Sequence, residues 1–237
     1  MKVRMYGNSD IGRVRKNNED SIFFDERLPL SLVCDGIGGR EGGEVASQLA
    51  MQTMRDDALA WKKKGGNPSS FLWETLARIN TAIIEKGTEN EKLEGMGTTM
   101  ECLLIHEKEL YLGHIGDSRT YLFFQNQFWQ LTIDHNVRTL MSYGELPKEL
   151  GVLANEDSLV KALGVAAMVV PDIYKMSIKP GLTFLSASDG LFDMVEDAQI
   201  AETMKKNKGE TLVRKLIDLA CKNGGNDNVS LVVTYVD

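Results

Sequence analysis

The sequence predicts an α+β fold in which helices cover the faces of antiparallel sheets. Three observations predict it. Short apolar runs of strand character follow one another through tight turns, which favours hairpins over crossovers. Stretches with helical apolar spacing sit between groups of those runs. The composition, 43% hydrophobic and 26% charged over 237 residues, is that of an ordinary globular protein, long enough to bury a core without a disulfide or structural metal.

The strand candidates, in order, are Ser21–Phe24, Leu30–Cys34, Thr99–Ile105, Leu110–Ile115, Thr120–Phe124, Phe128–Leu131, Leu182–Ala187 and Val229–Val236. They are partly β-branched or aromatic and are bounded by Gly, Asp or Asn. Glu107-Lys108 and Gln125-Asn126-Gln127 read as hairpin turns. From Gly43 to Trp61, the residues Val45, Leu49 and Thr53 fall on one helical face. From Ser70 to Lys86, a stripe of Leu72, Leu76, Ile79 and Ile83 marks a second helix, with Pro68-Ser69-Ser70 as its start and Gly87 as its stop. Asp197–Lys206 and a segment carrying Leu212, Leu216 and Leu219 read as two more helices. Residues 134–160 are irregular and polar, a surface excursion of one domain spanning 1–237 rather than a second domain.

Charge and cysteine content narrow the function. A net charge of −7 argues against nucleic acid or an anionic membrane surface as partner. Cys34, Cys102 and Cys221 are odd in number and contain no CxxC, which fits reduced thiols and a cytoplasmic setting. No apolar run approaches the ~18 residues that a membrane helix needs. The segment Met1–Asn8 has no apolar stretch behind it and does not read as a signal peptide.

The informative pattern is a repeated one: an aspartate beside a glycine or asparagine at the end of an apolar strand. It occurs at Cys34-Asp35-Gly36, Gly116-Asp117, Ser188-Asp189-Gly190 and, just before a strand, Asn226-Asp227-Asn228; Asn18-Glu19-Asp20 leads into another strand. One Asp-Gly is a turn signal. Four or five at strand ends can gather at one sheet edge, where carboxylates repel unless a cation neutralises them. All-oxygen donors select Mg²⁺ or Mn²⁺, and His106, His114 and His135 offer no zinc spacing. Two such ions sharing a carboxylate would lower the pKa of a water between them and supply a nucleophile for attack at phosphorus. Arg13 and Arg15 are candidate phosphate clamps, because a guanidinium grips two phosphate oxygens at once.

These motifs resemble the metal-dependent Ser/Thr protein phosphatases of type 2C, in their compact bacterial form. The resemblance rests on residues 9–20, Asp35-Gly36-Ile37-Gly38-Gly39 with residues 43–47, Gly95-Met96-Gly97-Thr98-Thr99, Gly116-Asp117-Ser118-Arg119, Leu131-Thr132-Ile133-Asp134-His135, Ala162-Leu163-Gly164, Ser188-Asp189-Gly190-Leu191-Phe192-Asp193 and Asn226-Asp227-Asn228-Val229, in the family's order. It implies a four-layer αββα sandwich with two core Mn²⁺ or Mg²⁺ ions at one end. Asp35 would bridge the ions, Gly36 would lend its carbonyl, and Asp189 and Asp227 would complete the second ion. Glu19 and Asp20 would hold waters around the ions, Arg15 would bind phosphate, and Asp117 with Asp189 would hold a third metal. A flap at 136–160 would shape access for phosphoproteins, the substrates of a cognate Ser/Thr kinase, and a monomer is expected. The sequence departs from the family at Ile37, where animal relatives carry a histidine, at Asn136, where serine is common, and at Lys161, where arginine is common.

Other readings compete. Cys34 and Arg40 satisfy the C-x5-R spacing of cysteine-dependent phosphatases, although no histidine precedes Cys34. Ser118 invites a serine-hydrolase reading but lacks an Asp-x-x-His partner. A phosphoprotein-binding pseudophosphatase would lack a metal carboxylate, whereas Asp35, Asp189 and Asp227 are all present.

Overall fold

A computed structural model describes residues 1–38, 42–144 and 155–237. Its strands are β1 (Val3–Asp10), β2 (Ser21–Asp25), β3 (Leu30–Cys34), β4 (Gly36–Ile37), β5 (Gly97–Thr98), β6 (Met100–His106), β7 (Glu109–Ile115), β8 (Arg119–Phe124), β9 (Gln127–Gln130), β10 (Asp172–Ser177), β11 (Thr183–Ala187) and β12 (Val229–Val236). The helices are α1 (Gly42–Lys64), α2 (Pro68–Thr88), α3 (Val137–Ser142), α4 (Asp189–Phe192), α5 (Asp197–Lys206) and α6 (Gly209–Lys222). Two five-stranded antiparallel sheets result, in the orders β1-β12-β11-β8-β9 and β10-β7-β6-β3-β2, with a small β4-β5 ribbon beside them.

The layers follow from which way successive side chains point. Along β6, Cys102 and Leu104 join α1 and α2 in one core. Their neighbours Leu103 and Ile105 meet Val3, Met5, Leu112 and Phe184 in a second core between the sheets. Along β12, Val229, Leu231, Val233 and Tyr235 pack with α5 and α6 in a third. Strands covered on both faces read as unbroken apolar runs, which is why the central strands were legible. The result is the expected four-layer αββα sandwich.

The differences from expectation have physical causes. Strands β1 and β10 were not foreseen; each lies at the edge of its sheet and mixes polar with apolar residues. In α1 the buried face is Ala46, Ser47, Ala50, Met54 and Ala58, while Val45, Leu49 and Thr53 lie on the half-buried flank. Small side chains let the helix approach its neighbours closely. The α2 stripe is as expected, with Leu72, Leu76, Ile79 and Ile83 fully buried. Asn67 caps α2, accepting from the Ser70 N–H at 3.0 Å. Gly87 does not stop α2, which runs through it to Thr88. A Cβ at Gly87 would stand 3.2 Å from the Leu93 carbonyl, so glycine there serves close approach. Of the flap expected at 136–160, residues 145–154 lie outside the described residues; its roots pair through an Asn136–Leu159 bridge. No described helix is long and apolar enough to cross a membrane.

Candidate metal centre

Antiparallel pairing brings the acidic motifs to one end of the sandwich. In one sheet, Asp10 faces Val229 and Ala187 faces both Leu231 and Arg119, so Asp189, Asp227 and Asp117 flank adjacent strand ends. In the other, Ser21 faces Cys34 and Met100 faces Ile115, which sets Asp20, Asp35 and the start of the Asp117 turn side by side.

Local contacts then fix each group. The Asp35 N–H donates to Thr99 Oγ1 at 2.9 Å, and the Asp35 carbonyl accepts from Thr98 Oγ1 at 2.8 Å. A Cβ on Gly36 would stand 2.2 Å from the Gly43 carbonyl oxygen and 2.5 Å from that of Glu19, so only glycine lets these three backbones meet. Ser188 Oγ donates to Asp20 Oδ2 at 2.8 Å, joining the two sheets. Asn228 acts as a clip: its Oδ1 accepts from the Glu19 N–H at 2.8 Å, and its Nδ2 donates to the carbonyls of Ile11 and Asn17, each at 3.0 Å.

The cluster is electrostatically unbalanced. Burial, followed by the charges of Asp20, Asp189, Asp117 and Asp227, holds the Asp35 carboxyl well above the usual range. Burial, then Asp117 and Asp227, raises Asp189 to about 8. Burial leads again for Asp20 and Asp117, each raised to about 6. Arg15 Nη2 sits 2.5 Å from Asp227 Oδ2 and remains half exposed. Asp189 Oδ1 is buried with no hydrogen-bond partner. A sealed, orphaned carboxylate oxygen amid mutually repelling carboxylates fits a cation. Among the described residues no three His, Cys, Asp or Glu side chains are drawn tight enough to hold an ion by themselves. An ion there therefore needs backbone carbonyl or water as well, and the cramped Gly36 peptide offers the first.

The family profile of protein phosphatase 2C matches residues 11–219. The chain belongs to the protein phosphatase 2C family. It is 37% identical over 238 residues to the serine/threonine protein phosphatase PstP of Mycobacterium tuberculosis, matching 99% of this chain and 45% of that protein. The chain thus spans about half the length of that relative. It is 32% identical to the serine/threonine phosphatase stp of Listeria innocua, covering 95% of this chain and 92% of that one. The crystal structure of the M. tuberculosis phosphatase PstP/Ppp superimposes with a TM-score of 0.89 at 34% identity, over 100% of both chains. A second structure, the PstP catalytic domain in complex with two manganese ions, gives 0.87 at 35% identity, over 100% of this chain and 99% of that one.

In this phosphatase 2C fold, Arg15, Glu19, Asp20, Asp35, Asp117, Asp189 and Asp227 lie close enough to feel one another's charge, around Asp35, Asp189 and Arg15. Arg13 does not join them: it is exposed, with its N–H donating to the Gly225 carbonyl at 2.8 Å. The Cys34 nucleophile reading fails, because the thiol is buried in the helix-facing core and burial pushes its pKa far up, disfavouring the thiolate. Gly39 and Arg40, the latter its proposed partner, lie outside the described residues. Ser118 is also buried, with its hydroxyl 2.7 Å from Thr99 Oγ1, so it is structural rather than a nucleophile. The positioning groups Asn228, Ser188, Thr98 and Thr99 stood inside the motifs that carry the family resemblance, but the sequence assigned them no role of their own.

Proposed function

We propose that this chain is a metal-dependent protein phosphatase that hydrolyses phosphoserine and phosphothreonine in proteins, the products of a cognate Ser/Thr kinase. The observation that carries the reading is Asp189 Oδ1, buried without a partner among carboxylates that raise one another's pKa. The chain works as a monomer in the cytoplasm, as one catalytic domain with a flap at 136–160. Mn²⁺ or Mg²⁺ would occupy two core sites, and Asp117 with Asp189 would hold a third ion; the manganese-bound relative supports the choice of ion.

Asp35, the Gly36 carbonyl, Asp189 and Asp227 would hold the two core ions. Such ions, when bound, lower the pKa of a water and draw charge from the phosphoryl oxygens. Glu19 and Asp20 would orient waters around such ions. Arg15 neutralises Asp227 and, being half exposed, keeps further N–H groups for phosphate oxygens.

The decisive test is hydrolysis of a phosphothreonine peptide with Mn²⁺ and then with excess EDTA. Activity should appear with the metal and vanish on chelation; turnover surviving complete chelation sinks the mechanism. Arg15→Ala should raise KM by roughly 10–100-fold, more than it lowers kcat, since the lost charge-assisted bonds act on bound substrate. Steady-state kinetics check this, and an unchanged KM removes Arg15 from the phosphate site.

A further inference from the structure

The described site leaves one buried group of titratable side chains unused, beside Asp117. Glu101 and His114 are fully buried between the sheets. Glu101 accepts from His114 Nδ1 through one carboxylate oxygen and from Thr120 Oγ1, at 2.5 Å, through the other. His114 Nε2 donates to the Ile133 carbonyl at 2.9 Å. Both ring nitrogens face oxygens that can accept from a charged imidazole, and Glu101 pairs with the ring. Burial opposes that charge, but Glu101 outweighs it and the His114 pKa is raised. The contact pins the 133–135 backbone to the sheet.

His135 stacks on His114 with ring centroids 4.5 Å apart, and its hydrogen bonds run the opposite way. Its Nδ1 accepts from the Gly116 N–H at 3.1 Å. The proton therefore sits on Nε2, which faces Asp172 Oδ2 at 3.3 Å. Burial first, then cationic His114 and Lys161, pushes the His135 pKa down to about 4, so Nδ1 is free to accept at neutral pH. Lys161 Nζ lies 3.6 Å from Asp172 Oδ1 and closes the far side of the group.

The backbone of His135 completes a two-way connection. Its N–H donates to the Gly116 carbonyl at 2.8 Å, so both polar groups of Gly116 end on His135. Gly116 has a φ of +104°, and a Cβ there would stand 2.5 Å from the Thr99 side chain. The residue before Asp117 thus has no side chain of its own to anchor it. In the other direction, the His135 carbonyl accepts from the Val160 N–H at 2.8 Å. Val137 N–H then bonds to Ser158 and Arg138 N–H to Glu156, at 3.0 and 2.8 Å, carrying the ladder into both flap roots.

We propose that His135 is a positioning residue that holds Gly116 so as to place the Asp117 carboxylate, and ties that carboxylate to both roots of the flap. The inference rests on the phosphatase reading, because only there does Asp117 have chemistry to perform.

The test is a double-mutant cycle read as kcat on p-nitrophenyl phosphate with Mn²⁺, using His135→Phe, Asp117→Ala and the pair. His135→Phe should lower kcat roughly 10–100-fold with KM nearly unchanged, the size of effect a small misplacement produces. In the Asp117→Ala background it should cost nothing further. Asn places an acceptor near the position of Nδ1, so His135→Asn should restore most of the rate. Additive losses, or a wild-type kcat for His135→Phe, overturn the proposal. Amide exchange supplies a readout independent of turnover: Gly116 and Val160 should lose protection in His135→Phe, and unchanged protection at both overturns the proposal. If His135→Phe does not fold, Asp172→Ala loosens the same ring from outside, and its loss too should vanish without Asp117. An inactive wild type sinks the phosphatase reading, whereas an active wild type with an additive cycle sinks only the role of His135.

Discussion

Asp35→Asn is expected to lower turnover of a phosphothreonine peptide by about 10³-fold or more, the scale of the several kcal/mol that metal chemistry supplies. The same change should raise the melting temperature of the metal-free protein. Asp35 is crowded by Asp20, Asp189, Asp117 and Asp227, so its charge opposes folding until something positive arrives. A neutral amide of the same shape removes that repulsion and keeps the N–H bond to Thr99. Activity and stability therefore move in opposite directions, a pattern expected of a functional group rather than a packing residue. Kinetics with Mn²⁺ and thermal melts in EDTA test both halves. Turnover within tenfold of wild type, or a lower melting temperature in EDTA, contradicts the assignment.

Raising the pH from 5.5 to 8 should destabilise the metal-free protein by on the order of a few kcal/mol, or about 5–10 °C in melting temperature. In the folded chain Asp189 titrates near 8 and Asp20 and Asp117 near 6, whereas unfolded aspartates titrate near 4. Through that window the unfolded chain holds fewer protons than the folded one, so stability falls as pH rises. The contribution is fully present below about pH 4 and gone above about pH 8. Bound Mn²⁺ reverses the trend, since cations displace those protons, and its thermal stabilisation should grow with pH. Asp189→Asn should flatten the EDTA curve. A metal-free melting temperature that is level or rising with pH, or a slope unchanged by Asp189→Asn, rules out a carboxylate cluster of this kind.

The sandwich was legible where burial is symmetric. Central strands β3, β6, β7 and β11 are enclosed on both faces and read as apolar blocks, whereas edge strands β1 and β10 keep a wet side that blurs the pattern. Likewise, α2 showed its stripe because leucine and isoleucine fill it, while α1 buries alanines that carry little signal. Most acidic residues of the candidate centre were legible because they sit beside a glycine or asparagine at a strand end, and Asp20 because it follows Asn18-Glu19 into β2. Their positioning partners were not. Asn228 reaches the carbonyls of Ile11 and Asn17, and His135 reaches Gly116, across separations along the chain that no local pattern records.

The Asn228 clip has a consequence for how the protein comes into being. It joins the loop at 11–19 to a strand near residue 230, and that strand zips against β1 from Val3–Val236 to Asp10–Val229. A nascent polypeptide still lacking β12 has no sheet partner for its first strand, and the Glu19 N–H lacks the Asn228 side chain that accepts from it. The pairing of β1 with β12 spans nearly the whole chain, so the sheet edge that carries the 11–19 loop is closed only by a contact of very long sequence separation.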